Sequence, residues 1–136
     1  MARVDLRTYP AIFTHDVEEG NEYEYSVTFP DFPGCITEGK TLEHAAEMAR
    51  EALALHIYGM EDDGDPMPSP SKWVHTEVNE ALVLITVNMD AFRENMANRA
   101  IKKTLTIPAA LNERAERAGI NFSQVLQEAL RDRLGL

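Results

Sequence analysis

With 136 residues the chain has room for one ordinary domain, or for a body of about ninety residues and a short tail. Thirteen Lys and Arg against twenty-three Asp and Glu give a formal charge of −10, the wrong sign for a chain that binds nucleic acid over its whole surface. A single cysteine, Cys35, excludes an intrachain disulfide, and the longest strongly apolar run, Ala81 to Val87, is far short of a membrane span. Met1 to Phe13, with charges at Arg3, Asp5 and Arg7, carries no sustained apolar stretch, so no targeting segment is expected there. A reducing, cytoplasmic setting follows as the simplest expectation.

The first ninety or so residues read as a small α+β body. Tyr9 to Thr14 is a first strand, and Glu18-Glu19-Gly20-Asn21 a turn. Glu22 to Phe29 alternates, with Tyr23, Tyr25, Val27 and Phe29 expected inward and Glu22, Glu24, Ser26 and Thr28 outward. Pro30, Pro33 and Gly34 break the chain before a short strand at Cys35 to Glu38, and Gly39-Lys40 turns it again. Thr41 should cap a helix running to about Tyr58 or Gly59, with Leu42, Ala45, Ala46, Ala49, Leu53, His56 and Ile57 as its apolar stripe. Glu61 to Ser71 reads as an acidic, proline-rich loop. Leu82 to Val87 is a further strand, and Asp90 a helix cap with the helix ending near Met96.

The tail, from Arg99 to Leu136, reads as one strand and two helices. In Ile101 to Ile107, Ile101, Leu105 and Ile107 share one face, interrupted by Lys103, while Lys102, Thr104 and Thr106 share the other. Pro108 suits a first helical turn, and Gly119 suits a left-handed stop after Leu111, Ala115 and Ala118. Asn121 with Gln124 three residues on marks the next helix start, whose buried stripe is expected to be Phe122, Val125, Leu126, Ala129, Leu130 and Leu134. Below about 40 residues a domain usually needs a metal, disulfides or a second chain. The segment has no metal ligands in cluster and no cysteine, so pairing of two chains remains. Charge divides along the same line: residues 99–136 carry seven Lys/Arg and four Asp/Glu (+3), residues 1–98 six and nineteen (−13).

Lys102-Lys103-Thr104-Leu105-Thr106-Ile107-Pro108, Ala118 to Ser123 and the Leu126/Leu130 stripe resemble a ribbon–helix–helix DNA-binding domain. The resemblance implies a ribbon of two paired strands in the DNA major groove, with Lys102, Thr104 and Thr106 at base edges. It also implies phosphate contacts at Asn121, Phe122 and Ser123, where a helix N-terminus presents free N–H groups.

Phe29-Pro30-Asp31-Phe32-Pro33-Gly34-Cys35-Ile36-Thr37-Glu38-Gly39, then Thr41-Leu42-Glu43, the helix Ala45 to Ala54 and the Pro66–Pro70 loop resemble HicB-type antitoxins. Lys40 departs from the acidic or polar turn residue frequent in that family, a local change of charge. The resemblance implies a partial RNase H-like β-β-β-α-β domain over residues 1–96 and a ribbon–helix–helix (β-α-α) domain over 97–136. It implies that the chain inhibits a small basic HicA-type mRNA-cleaving ribonuclease and represses its own operon through operator DNA. It further implies a homodimer through the tail, as a dimer or a dimer of dimers, with no cofactor. The toxin-facing candidates are the acidic ridge Glu43, Glu47 and Glu51, at successive i,i+4 positions that repel one another mildly, and the Glu22/Glu24 face.

Other chemistry is thinly supported. A two-metal nuclease needs several carboxylates converging from core strands. The first strand has none, leaving Glu47 and Asp90 as remote candidates. Cys35 could be exposed after its Pro-Gly turn but lacks a local His or Lys to activate it. His44 and His56 are twelve residues apart on one helix, about 120° around it, so they cannot share a metal. Half-burial suits His56. Trp73 reads as a core or interface anchor. A ribbon–helix–helix repressor with a ligand-sensing N-terminal domain is the alternative to the antitoxin.

Overall fold

The structure is a computed structural model that describes residues 3–16, 18 and 20–136. Of the expected turn at Glu18 to Asn21, Glu19 lies outside the described residues; so do Met1 and Ala2 of the opening segment. The chain divides into two units, Met1–Arg99 and Ala100–Leu136. The first holds β1 (Leu6–His15), β2 (Tyr25–Thr28), β3 (Ile36–Gly39), α1 (Leu42–Asp63), β4 (Glu80–Asn88) and α2 (Met89–Asn98). The second holds α3 (Ala109–Arg117) and α4 (Phe122–Leu134).

The four strands form one antiparallel sheet in the order β3-β2-β1-β4. The last strand therefore returns to lie beside the first, in register from Leu6↔Asn88 to Thr14↔Glu80. Alternation then sorts the sheet into two faces. Tyr9, Ala11 and Phe13 of β1, Val27 of β2, and Ile85 and Val87 of β4 are buried in one core with Ala45, Ala49, Leu53, Ala54 and Ile57 of α1. The opposite face carries Ile12, Leu82, Leu84 and a Thr8–Thr86 hydroxyl pair at 2.8 Å, and the body's own helices leave it open. Such one-sided burial is ordinary for an antiparallel sheet.

Close seating of α1 on the sheet depends on small residues. A Cβ built on Gly39 would lie 2.3 Å from the Ala45 nitrogen, so no other residue fits where β3 ends against the helix. Ala45 and Ala49 are fully buried at that contact, and Leu53 and Ile57 fill the space farther along. Burying each of those two larger side chains is worth about 1.5–3 kcal/mol. Thr41 caps the helix, its hydroxyl accepting from the His44 N–H at 3.1 Å.

Several expectations need correction here. α1 does not stop at Tyr58 or Gly59; it runs to Asp63, and Gly64 (φ 74°) is its cap. The expected Glu61–Ser71 loop thus begins inside the helix, because a helix tolerates one glycine and the first proline comes only at Pro66. Leu42 of the expected stripe is exposed, as is Tyr23, because β2 begins only at Tyr25. Trp73 is 91% exposed and no core residue. Cys35 is buried, not exposed, and burial pushes its thiol up to about 11, which rules it out as a nucleophile at neutral pH. Asp90 is not the cap of α2. Asn88 is, with its side-chain oxygen accepting from the Ala91 N–H, while the Asp90 carboxylate accepts from the Asp5 N–H at 2.7 Å.

Asp90 belongs to a charge network that ties three elements together. Arg93 of α2 reaches Asp5 (3.0 Å), Glu61 of α1 (2.8 Å) and Asp90 (3.6 Å), while Arg7 of β1 bonds Asp5 at 2.7 Å. The loop after α1 is also held. The Tyr9 hydroxyl donates to the Pro68 carbonyl at 2.6 Å, and the Asp31 carboxylate accepts from both the N–H and the hydroxyl of Ser71.

The tail contains its two helices but, within this chain, no strand: Ile101 to Ile107 is unpaired. A strand needs a ladder partner, and none is formed among the described residues. The expected stripe of α4 is correspondingly unburied, with Phe122, Val125, Leu130 and Leu134 all exposed. Gly119 does take the left-handed conformation, at φ 67°.

The network gives a pH dependence. The Arg7 guanidinium hydrogen-bonded to Asp5, with Arg93 beside it, holds the Asp5 carboxyl below the usual carboxylate range. Its contribution is therefore complete above the unfolded value and is lost as pH falls through the lowered folded one. Asp5→Asn should destabilise the body by roughly 1 kcal/mol at neutral pH. The loss should shrink below about pH 4, read by urea melts across pH. An unchanged pH profile would remove Asp5 from the account.

Candidate interfaces for nucleic acid and protein

In the tail, Lys102, Thr104 and Thr106 are exposed on the extended segment before α3, and Ile101, Leu105 and Ile107 alternate with them, also exposed. A lone segment of this kind leaves backbone N–H and C=O groups free to pair with another strand. α3 starts after Pro108, whose carbonyl accepts from the Asn112 N–H at 3.0 Å. The Asn121 side chain accepts from the Gln124 N–H at 3.1 Å and so opens α4. Phe122 and Ser123 are its first helical residues, where backbone N–H groups lack an intrahelical acceptor. The three residues named for phosphate therefore do sit at a helix N-terminus. No residue of 100–136 is buried, although the Ile101–Ile107 segment, α3 and α4 carry nine large apolar side chains between them. An apolar surface of that extent on one short segment makes it a candidate interface.

In the body, Glu43, Glu47 and Glu51 all lie exposed along α1. None of them takes part in the ion pairs formed by the described residues. Their ridge is thus electrostatically open. The Glu22/Glu24 face is different. Lys40 reaches Glu22 at 2.6 Å and also lies 5.7 Å from the centre of the Tyr23 ring, and this hydrogen bond holds the Glu22 carboxyl below its ordinary range. Glu24 lies 3.7 Å from His15, whose ring stacks on Tyr25. The two faces do not merge into one patch: the ridge is a helix surface, whereas Glu22 and Glu24 precede β2.

The structure adds a feature absent from the sequence reading. A groove of about 530 Å³ runs between α1 and the turn into β3, lined by Ile36, Leu55, Gly59 and Met60, with Asp63 and Asp65 at one end. Leu55, outside the expected stripe, is the signal that could have disclosed it. Among the described residues, no three His, Cys, Asp or Glu side chains gather closely enough to hold a metal ion. None of the described helices is long and apolar enough to cross a membrane.

Comparison with known proteins places the chain in a family. The family described as "HicB_like antitoxin of bacterial toxin-antitoxin system" matches residues 9–130. The chain is 34% identical over 104 residues to Antitoxin HicB 1 of Photorhabdus laumondii, an alignment covering 70% of this chain and 64% of that protein. It is 30% identical over 95 residues to an uncharacterized 14.9 kDa protein of Haemophilus phage HP1, covering 68% of this chain and 70% of that one. Among solved structures, a chain of a toxin–antitoxin complex from Streptococcus pneumoniae aligns with a TM-score of 0.60 and 29% identity, over 95% of this chain and 99% of that one. With the match extending from the first strand well into α4, the chain belongs to the HicB-like antitoxin family.

Proposed function

We propose that this chain is the antitoxin of a HicA-type pair. Its body, a partial RNase H-like β-β-β-α-β unit, binds and inhibits a small basic mRNA-cleaving ribonuclease in the cytoplasm. Its tail pairs with that of a second copy as a ribbon–helix–helix domain and represses the operon that encodes the two proteins. The observation that carries this reading is the division of charge and of apolar surface along the chain. Residues 1–98 have a net charge of −13 and an acidic ridge that joins none of the ion pairs formed by the described residues, suited to a basic protein. Residues 99–136 have a net charge of +3, an Ile101–Ile107 segment that forms no ladder among the described residues, and an exposed apolar stripe.

Two copies supply both the ladder and the cover at once. Antiparallel pairing of two Ile101–Ile107 segments supplies the missing ladder, and Ile101, Leu105 and Ile107 then face a core shared with α3 and α4 of both chains. Lys102, Thr104 and Thr106 fall on the outer face, where a β-ribbon reads base edges. The first N–H groups of α4, at Asn121 to Ser123, suit a phosphate. Joining of two tails also doubles the number of bodies presented, so one repressor carries at least two toxin sites.

A nuclease reading finds no support in the charge network. Of the two acids named for it, Asp90 lies 3.6 Å from the Arg93 guanidinium, and among the described residues no three His, Cys, Asp or Glu side chains gather to hold a metal ion.

Co-expression with the adjoining short reading frame should yield a stable complex with a basic protein and relieve its toxicity; free passage of that protein through an affinity column carrying this chain would overturn the antitoxin assignment. For the tail, Thr104→Ala and Thr106→Ala should each lose about 1–3 kcal/mol of discrimination between operator and unrelated DNA. Lys102→Ala should lower affinity for all sequences and reduce the salt slope by about one. Parent-like operator binding by all three variants would show that a different face reads DNA. Reversal of the ridge, Glu43→Lys with Glu47→Lys, should slow toxin association at low salt, and an unchanged on-rate would remove the ridge from steering.

A further inference from the structure

The groove between α1 and the turn into β3 contains residues that the fold of the single chain does not ask for. Gly59 lies in the interior of α1, where glycine is destabilising relative to alanine. Its backbone is not in the left-handed region, and a Cβ built on it would meet nothing within 4 Å. Neither conformation nor packing therefore requires glycine there. What the missing side chain leaves is a strip of bare helix backbone along the groove wall, open to close approach from outside.

Four neighbours are equally unexplained by the chain's own stability. Leu55, one turn before Gly59, is 54% exposed, and Ile36 across the groove is 66% exposed. Asp63 stands in the last turn of α1, the negative end of the helix dipole, where an acid is unfavourable and no basic residue compensates it. Asp63 and Asp65 take part in none of the ion pairs formed by the described residues, although nearby Glu61 is paired with Arg93. An apolar trough that ends in two open carboxylates has the shape and charge of a receptor for a long cationic side chain: the methylene stem lies on hydrocarbon and the charged head meets the acids.

We propose that this groove is the seat of the basic protein partner. A lysine or arginine of that partner lays its stem between Leu55 and Ile36, points its charge at Asp63 and Asp65, and brings its backbone against Gly59. The proposal rests on the antitoxin reading above and adds the contact surface. Glu43, Glu47 and Glu51 then act as the approach: Leu55 continues their four-residue spacing, which winds about 40° per step around α1 toward the groove. The ridge steers the partner and the groove holds it.

The test uses the full chain and the small basic protein encoded beside it, with affinity measured by calorimetric displacement. Gly59→Leu should weaken the complex by roughly thirtyfold or more, as expected for a central contact, while the free chain melts no lower than the parent. Leu55→Glu should lose affinity to a similar extent. Asp63→Asn with Asp65→Asn should weaken binding at low salt and flatten its salt dependence. If Gly59→Leu folds and binds like the parent, the groove is not the seat, and this holds even if Leu55→Glu fails to fold. If the variants alter self-association by sedimentation while toxin affinity is unchanged, the groove joins copies of this chain and the proposal is overturned. Failure of the parent itself to bind would instead overturn the antitoxin reading on which the proposal stands.

Discussion

The body is organised around the contact between α1 and the sheet. Where Gly39 ends β3 against Ala45, the helix axis is brought so near the strands that only the smallest side chains fit between them. From that point Ala49, Leu53 and Ile57 follow the sheet in succession, and the core aromatics Tyr9, Phe13, Phe29 and Phe32 close around them. The seating also fixes what remains outside. Helix residues turned from the sheet become the acidic ridge, and those that overhang the β3 turn become one wall of the groove.

Charge is handled differently on the two flanks of α1. Toward α2 and the start of β1, acids and guanidiniums are interleaved: Asp5, Glu61 and Asp90 surround Arg93, with Arg7 completing the set. Single exposed pairs contribute little, but a network spanning three elements fixes their mutual orientation. On the flank toward β3 the acids are left open. The same helix thus carries one end of a structural clasp and one surface of uncompensated charge, and the contrast separates acids that hold the fold from acids free to meet a partner.

The tail follows a different logic from the body. Nothing in the segment 100–136 is buried in a single chain, so its helices have caps and turns but no core. Local signals alone, Asn121 at the start of α4 and Gly119 after α3, define where helices begin and end. A unit of this size without a core of its own usually owes its stability to association with another chain.

The order of elements in the body and of the tail helices was legible in the residues because it depends on local chemistry: the alternation leading through β2, the apolar run of β4, the cap at Thr41, the Gly119 stop and the Asn121 start in the tail. So was the family, through the resemblance carried by the run from Phe29 to Glu43. The true end of α1 was not, since Gly59 reads as a stop unless one knows that the helix continues with open space beside it. Neither was the role of Asp90, a cap by sequence position but a partner of Asp5 and Arg93 once β4 returns beside β1. Local sequence determines which segments can be helix, strand or cap. Only the tertiary structure decides which charges cancel and which surfaces stay open, because those depend on residues brought together from distant parts of the chain.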